Sequence, residues 1–188
     1  MSKNDFLTNM KQIREQARKH LKQGAITENY GLDLNKVISL LNSALATELI
    51  CTLRYKQHHY KAASLGASVA AAEFLEHAIQ ETEHSEQIAG RIMQLGGEPD
   101  FSPEGLQGRA HADFVECETV ACMVEENLVA ERIAIDIYRG MIGYIGYADP
   151  TTRKMLEDIL ATEEEHADDL LDVAAEYDID LDKLGDND

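Results

Sequence analysis

Four apolar stripes run through this chain at the three- and four-residue steps of an amphipathic helix, and a glutamate interrupts each of them at mid-length. The first reads Leu34, Ile38, Leu41, Leu45, Glu48, Thr52, Tyr55, and the second Phe74, Ala78, Glu81, Ser85, Ile88, Ile92, Leu95. The third is Val120, Val124, Leu128, Glu131, Ile135, Tyr138, and the fourth Leu156, Ile159, Glu163, Ala167, Leu170. His84 and His166 follow Glu81 and Glu163 by three residues, so each pair projects from one helix face on neighbouring turns. An ionised carboxylate is almost never fully buried unless it is paired or bound to metal, because the loss of hydration costs several kcal/mol. In a chain with 35 acidic residues any single glutamate is more simply read as solvated, but six residues in matching register are not.

Four carboxylates converging in one core repel one another, so something cationic belongs between them. Two divalent metals would balance four glutamates, with two neutral imidazoles completing the shell. One Glu from each of two helices and a Glu-x-x-His from each of the other two is the di-iron or di-manganese carboxylate arrangement. The candidate ligands are therefore Glu48, Glu81, His84, Glu131, Glu163 and His166.

On these residues the chain resembles the ferritin-like superfamily, and within it the bacterioferritin and Dps-like (thioferritin-type) branches. Glu48 and Glu81 are 33 residues apart, Glu131 and Glu163 are 32 apart, and the Glu-x-x-His units fall second and fourth in chain order, as in bacterioferritins. The run Arg153-Lys154-Met155-Leu156-Glu157-Asp158-Ile159-Leu160, continuing to Glu163-Glu164-Glu165-His166, looks like the fourth bacterioferritin helix. The resemblance covers about residues 33–177 and is most specific in the ligands. It implies an all-α, antiparallel four-helix bundle with a long crossover between the second and third helices. It also implies a ferroxidase that oxidises Fe(II) with O2 or H2O2 and stores ferric mineral in a homo-oligomeric cage. Two irons per subunit are expected, with manganese or zinc as alternatives; Glu81 and Glu163 would bridge, Glu48 and Glu131 would be terminal, and Tyr55, one heptad beyond Glu48, would either lie near the metals in a redox role or simply pack in the core. A rubrerythrin-like peroxidase or a manganese catalase would use the same ligands, although no rubredoxin-type cysteine quartet is present. Bacterioferritins place a haem-ligating methionine between the Glu and His of the second-helix motif; here Thr82 and Glu83 stand there, so no haem is expected. Residues 178–188 give little material for the fifth helix of bacterioferritins, which favours a dodecamer over a 24-subunit shell.

Length and composition suit one helical domain: 188 residues can bury a sizeable core, and only three prolines occur. Three segments are expected: a basic extension over 1–31 with a short extra helix, the bundle over 32–178, and an acidic tail over 179–188. The first helix is expected from the N-cap Asp33 to about Ala63, the second from about Ala67 to Leu95, the third from about His111 to Tyr147, and the fourth from Asp149-Pro150 to about Tyr177. The linker from Gly96 to Gly108 is long enough to cross the bundle. His58 and His59 are read as exposed polar residues and His77 as a boundary histidine, with a partner role toward the ligands as its alternative. Three cysteines without zinc-type spacing read as reduced thiols; Cys51 lies one turn from Glu48, while Cys117 and Cys122 read as buried free thiols too far along the helix to be ligands.

The net charge of −18 is uneven. Residues 1–24 carry Lys3, Lys11, Arg14, Arg18, Lys19 and Lys22 against Asp5 and Glu15, a net +4, which leaves −22 for the rest. Such an acidic body repels nucleic acid and attracts cations, so DNA contact would have to come from the predicted helix over 5–23. That helix, with Phe6, Met10, Ile13, Ala17 and Leu21 on one side, is read first as packing on a neighbouring subunit or its own bundle. A Dps-type DNA-protecting arm is the alternative. No secretory signal and no stretch approaching a membrane span are read in the chain, so the expected address is the cytoplasm.

Overall fold

The computed structural model describes residues 10–19, 21–28 and 30–183. Helix α1 spans Met10–Ala17, α2 Leu34–Ser64, α3 Ser68–Gln94, α4 Leu106–Arg109, α5 Val120–Ile145 and α6 Pro150–Glu176, with 3-10 turns at Leu21–Gln23 and Leu181–Lys183. No strand occurs among the described residues. The long helices pair as two hairpins, α2 on α3 and α5 on α6, joined by the crossover over residues 95–119. That is the four-helix bundle the stripes predict.

The helix ends follow from local chemistry. The Asp33 carboxylate accepts from the backbone N–H groups of Asn35 and Lys36, satisfying orphan donors of the first turn of α2. Asp149 does the same for Thr152, and Pro150 stands at the first position of α6, where a missing N–H costs nothing. Between α2 and α3 the chain reverses at Gly66 with φ of +78°, a conformation that a side chain disfavours.

The core falls into two clusters on either side of the glutamates. One is rich in Leu and Ile, including Leu41, Leu45, Ile88, Ile92, Leu156 and Ile159. The other gathers small and aromatic side chains, including Ala62, Ala70, Ala78, Phe74 and Tyr55. At the Leu/Ile end the buried Arg91 donates to both carboxylate oxygens of Asp149 at 2.9 Å and to the Thr152 hydroxyl at 2.8 Å, tying α3 to the start of α6.

Three expectations are corrected. The third bundle helix begins at Val120, capped by Thr119, and not at His111. The segment before it is extended because α2 captures its backbone: Arg54 donates to the Asp113 carbonyl at 2.9 Å, His58 Nε2 meets the Val115 carbonyl at 3.0 Å, and Thr47 accepts from the His111 N–H at 3.0 Å. His58 is accordingly fully buried, not exposed, and His59 is half-buried with Nδ1 2.6 Å from the Ala71 carbonyl. Cys117 and Cys122 are not free thiols: the extended approach to α5 lays Cys117 back over its first turn, where the two form a disulfide with Cα atoms 5.6 Å apart. Cys51 is a free thiol, as read, and the structure buries it.

By length and composition Leu34–Ser64 is apolar enough to cross a membrane, contrary to the sequence reading; its apolarity is instead largely spent on the bundle core, and it carries the buried Glu48 and Arg54. Of the predicted N-terminal helix, residues 5–9 and 20 lie outside the described residues. The described remainder is α1 and a 3-10 turn, whose Met10, Ile13 and Leu21 are exposed, so these stripe residues are not packed on the bundle. Residues 184–188 of the acidic tail also lie outside the described residues.

Candidate functional site

Where the stripes place their glutamates, the four helices bring them together. Glu48 from α2, Glu81 and His84 from α3, Glu131 from α5, and Glu163 and His166 from α6 are all at most 4% exposed. His84 Nδ1 lies 3.2 Å from Glu48 Oε2, 3.4 Å from Glu81 Oε2 and 3.0 Å from Glu163 Oε1. His166 Nδ1 lies 3.7 Å from Glu81 Oε1, 3.8 Å from Glu131 Oε2 and 3.6 Å from Glu163 Oε2. Two donor sets result, Glu48/Glu81/His84/Glu163 and Glu81/Glu131/Glu163/His166, each with its donor atoms within 4.8 Å of one another. Glu81 and Glu163 belong to both.

The electrostatics follow from crowding four carboxyls and two imidazoles into a dry core. Burial, then repulsion from Glu163 and Glu48, holds the Glu81 carboxyl well above its usual range; burial, then Glu48 and Glu131, does the same to Glu163. For Glu48, burial is outweighed by hydrogen bonds from Glu81 and His84, and the carboxyl falls below its usual range. For Glu131, burial is outweighed by the nearby His166 and Glu163, and the carboxyl falls to about 2. Burial opposes charging of His84, but contacts with Glu163, Glu48 and Glu81 carry it up to about 12. Burial and mutual repulsion thus drive the four carboxyls apart in proton affinity. Glu81 Oε1, Glu163 Oε1 and His166 Nδ1 are buried without a hydrogen-bond partner, aimed into the cluster. Hard carboxylate oxygens with one imidazole per set fit divalent iron, manganese or zinc, and the donor chemistry therefore fits a dinuclear metal centre.

Residues 38–178 match the family described as Ferritin, ferritin-like domain. The chain belongs to the ferritin-like family. Relatives include a bacterioferritin of Desulfovibrio desulfuricans, 31% identical over 132 residues and covering 70% of each chain. A DNA protection during starvation protein of Pyrococcus furiosus is 30% identical over 150 residues, covering 75% of this chain and 78% of that one. Among solved structures, the dodecameric thioferritin described as the bacterioferritin-related protein of Bacteroides fragilis superposes with a TM-score of 0.71 at 27% identity, over 87% of this chain and 94% of that one.

Around the candidate ligands of this ferritin-like protein stand residues of two kinds. Tyr55, already singled out by its register, donates to Glu131 across the bundle. Tyr138 donates to Glu48 in the reverse sense, and the sequence reading left it in the core stripe. The signal was present, because Tyr138 follows Glu131 by the same seven residues that separate Tyr55 from Glu48. Gln80, also missed, places Oε1 2.8 Å from His166 Nε2; as acceptor it fixes the proton on Nε2 and leaves Nδ1 for the carboxylates. His77 is fully buried rather than at a boundary, stacked on His166 with ring centroids 4.0 Å apart. Burial and the nearby His166 charge lower it to about 3, so it stands neutral.

Proposed function

We propose that this protein is a ferroxidase of the iron-storing kind, oxidising Fe(II) with O2 or H2O2 between its four bundle helices and storing the ferric product as mineral in a homo-oligomeric cage. The observation that carries the reading is the pair of donor sets overlapping at Glu81 and Glu163. As substrate, one iron would be held by Glu48 and His84 and the other by Glu131 and His166, with Glu81 and Glu163 shared between them. Tyr138 and Tyr55 hold the terminal carboxylates in orientation, and Gln80 holds the His166 ring. Two Fe(II) each lose one electron: dioxygen accepts both with two protons to give hydrogen peroxide, or peroxide accepts both with two protons to give two waters. The apolar clusters above and below the site keep bulk water from the carboxylates. The acidic body, −22 beyond residue 24, draws the cationic substrate in.

The similar thioferritin supports a dodecamer, and the relatives support a homo-oligomer. A cytoplasmic address, the absence of haem and the division into 1–31, 32–178 and 179–188 belong to the same reading. The test follows Fe(II) oxidation spectroscopically together with the mass of the assembled particle. A wild-type rate in Glu48→Ala/Glu131→Ala overturns the site; peroxide turnover without iron deposition points instead to the peroxidase or catalase chemistry. DNA protection through the N-terminal arm is the less favoured reading, supported by the relative of that name. An unchanged gel shift for a chain beginning at Gly31 excludes the arm.

A further inference from the structure

Outside the six ligands, one more cluster joins α3 to α6. Glu73 and His77, one turn apart on α3, face Asp169 of α6, and the donor atoms of the three lie within 4.8 Å of one another. His77 Nε2 is 3.2 Å from Glu73 Oε1 and 3.5 Å from Asp169 Oδ2. Neither approach is aligned as a hydrogen bond, and both ring nitrogens of His77 are buried without a hydrogen-bond partner. The imidazole is the floor of the cluster, with 1% of its side chain exposed, while Glu73 and Asp169 keep 28% and 39% of theirs open to solvent. Glu76, Glu165 and Asp172 add negative charge around the two carboxylates. A buried imidazole nitrogen aimed between two carboxylates, among further acids, is what a divalent cation would satisfy.

We propose that Glu73, His77 and Asp169 bind a third divalent cation per subunit, at a solvent-facing mononuclear site separated from the dinuclear centre by the stacked rings of His77 and His166. One nitrogen and two carboxylates leave the remaining positions to water, which suits an exchangeable Fe(II), Mn(II) or Zn(II) rather than a caged structural ion. The binding itself does not depend on the chemistry of the dinuclear centre. Its position does: an ion held there lies one imidazole beyond the His166 half.

Zn(II), which undergoes no redox change, is the probe. Crystals of the full chain soaked in zinc and measured at the zinc absorption edge should show an anomalous peak between Glu73, His77 and Asp169, besides the two between the four glutamates. Calorimetric titration should give three zinc ions per subunit. Glu73→Gln/Asp169→Gln, which relieves repulsion at a half-exposed position, should lose that peak and titrate two. His77→Phe, which keeps the ring stacked on His166 but removes its donor, should also lose it. Glu48→Gln/Glu131→Gln should keep the third peak, so a failure confined to the dinuclear peaks overturns the ferroxidase reading and leaves this site standing. Zinc peaks scattered over the acidic surface with none among the three residues overturn the site. So does an unchanged stoichiometry in Glu73→Gln/Asp169→Gln.

Discussion

The two halves of the buried carboxylate cluster are built from the same sequence elements, yet they are not equivalent. Glu48 and Tyr55 on α2 correspond to Glu131 and Tyr138 on α5, and Glu81-x-x-His84 on α3 corresponds to Glu163-x-x-His166 on α6. Each tyrosine reaches across to the glutamate of the other half. The surroundings break the correspondence. His84 Nδ1 meets three carboxylates at 3.0 to 3.4 Å, whereas His166 Nδ1 stands 3.6 to 3.8 Å from its three. The His166 ring is held by Gln80 and stacked under His77; the residues one and four before Glu163, Thr162 and Ile159, offer no such pair. The potential donors are thus duplicated, whereas the neighbours that orient them are not.

The comparison predicts the largest loss where the halves share a residue. Glu81→Ala or Glu163→Ala removes a donor from both sets and should lower Fe(II) oxidation about 100-fold or more, since even the outer partner of a ligand commonly costs 10–100-fold. A rate near wild type for either variant would mean that the two sets do not share these carboxylates in function. Glu48→Ala and Glu131→Ala strike one half each, so metal titration should fall from two ions to one within the cluster. A filled site at a hundred times its dissociation constant stabilises by about 2.7 kcal/mol, or roughly 5–10 °C in a domain of this size. Each variant should lose about half of the metal-induced rise in melting temperature.

Gln80 separates the halves directly. Gln80→Leu removes the acceptor for His166 Nε2–H and leaves the His84 half untouched, so one ion should bind about 10-fold more weakly while the other binds as before. Two-site analysis of a titration with Co(II) distinguishes this from a uniform weakening. If both affinities fell together, the two imidazoles would be coupled more tightly than their separate partners indicate.

That the six candidate residues would meet in one core was legible because four carboxylates stand on apolar stripes, where an unpaired charge is expensive. The bundle and its short connections were legible from stripe period, from Asp33 and from Asp149-Pro150, where one residue decides the helix start. The start of α5 was not. Ala112 and Val115 fit helical spacing, and only Arg54 and His58 of α2, drawing carbonyls at residues 113 and 115, decide for an extended chain. The Cys117–Cys122 disulfide follows from that same extended approach, so the two misreadings have one cause. His58, His77 and Gln80 were obscure for another reason. A lone polar residue on a helix has the same spacing whether it faces water or a buried partner, and only the packing of a second helix tells which.

Tyr55 and Tyr138 give the smallest and most direct test of the correspondence. Both are buried, at 0% and 2% exposure, and each donates its phenol to a glutamate of the opposite half. Their other contacts differ, since Tyr55 lies edge-on to His77 at 5.1 Å and belongs to the alanine-rich cluster, while Tyr138 belongs to the Leu/Ile cluster. Phenylalanine keeps those ring contacts and deletes only the hydroxyl, so Tyr55→Phe and Tyr138→Phe compare the two hydrogen bonds alone. A bond to a carboxylate whose charge a metal already offsets contributes about 1 kcal/mol, near the neutral-group value, so each variant should weaken metal binding about fivefold. The two effects should agree within about twofold. If Tyr55→Phe alone slowed iron oxidation with metal binding preserved, the tyrosine hydroxyls would have separate tasks, one orienting a carboxylate and the other taking part in electron transfer, and the correspondence would end at the ligands themselves.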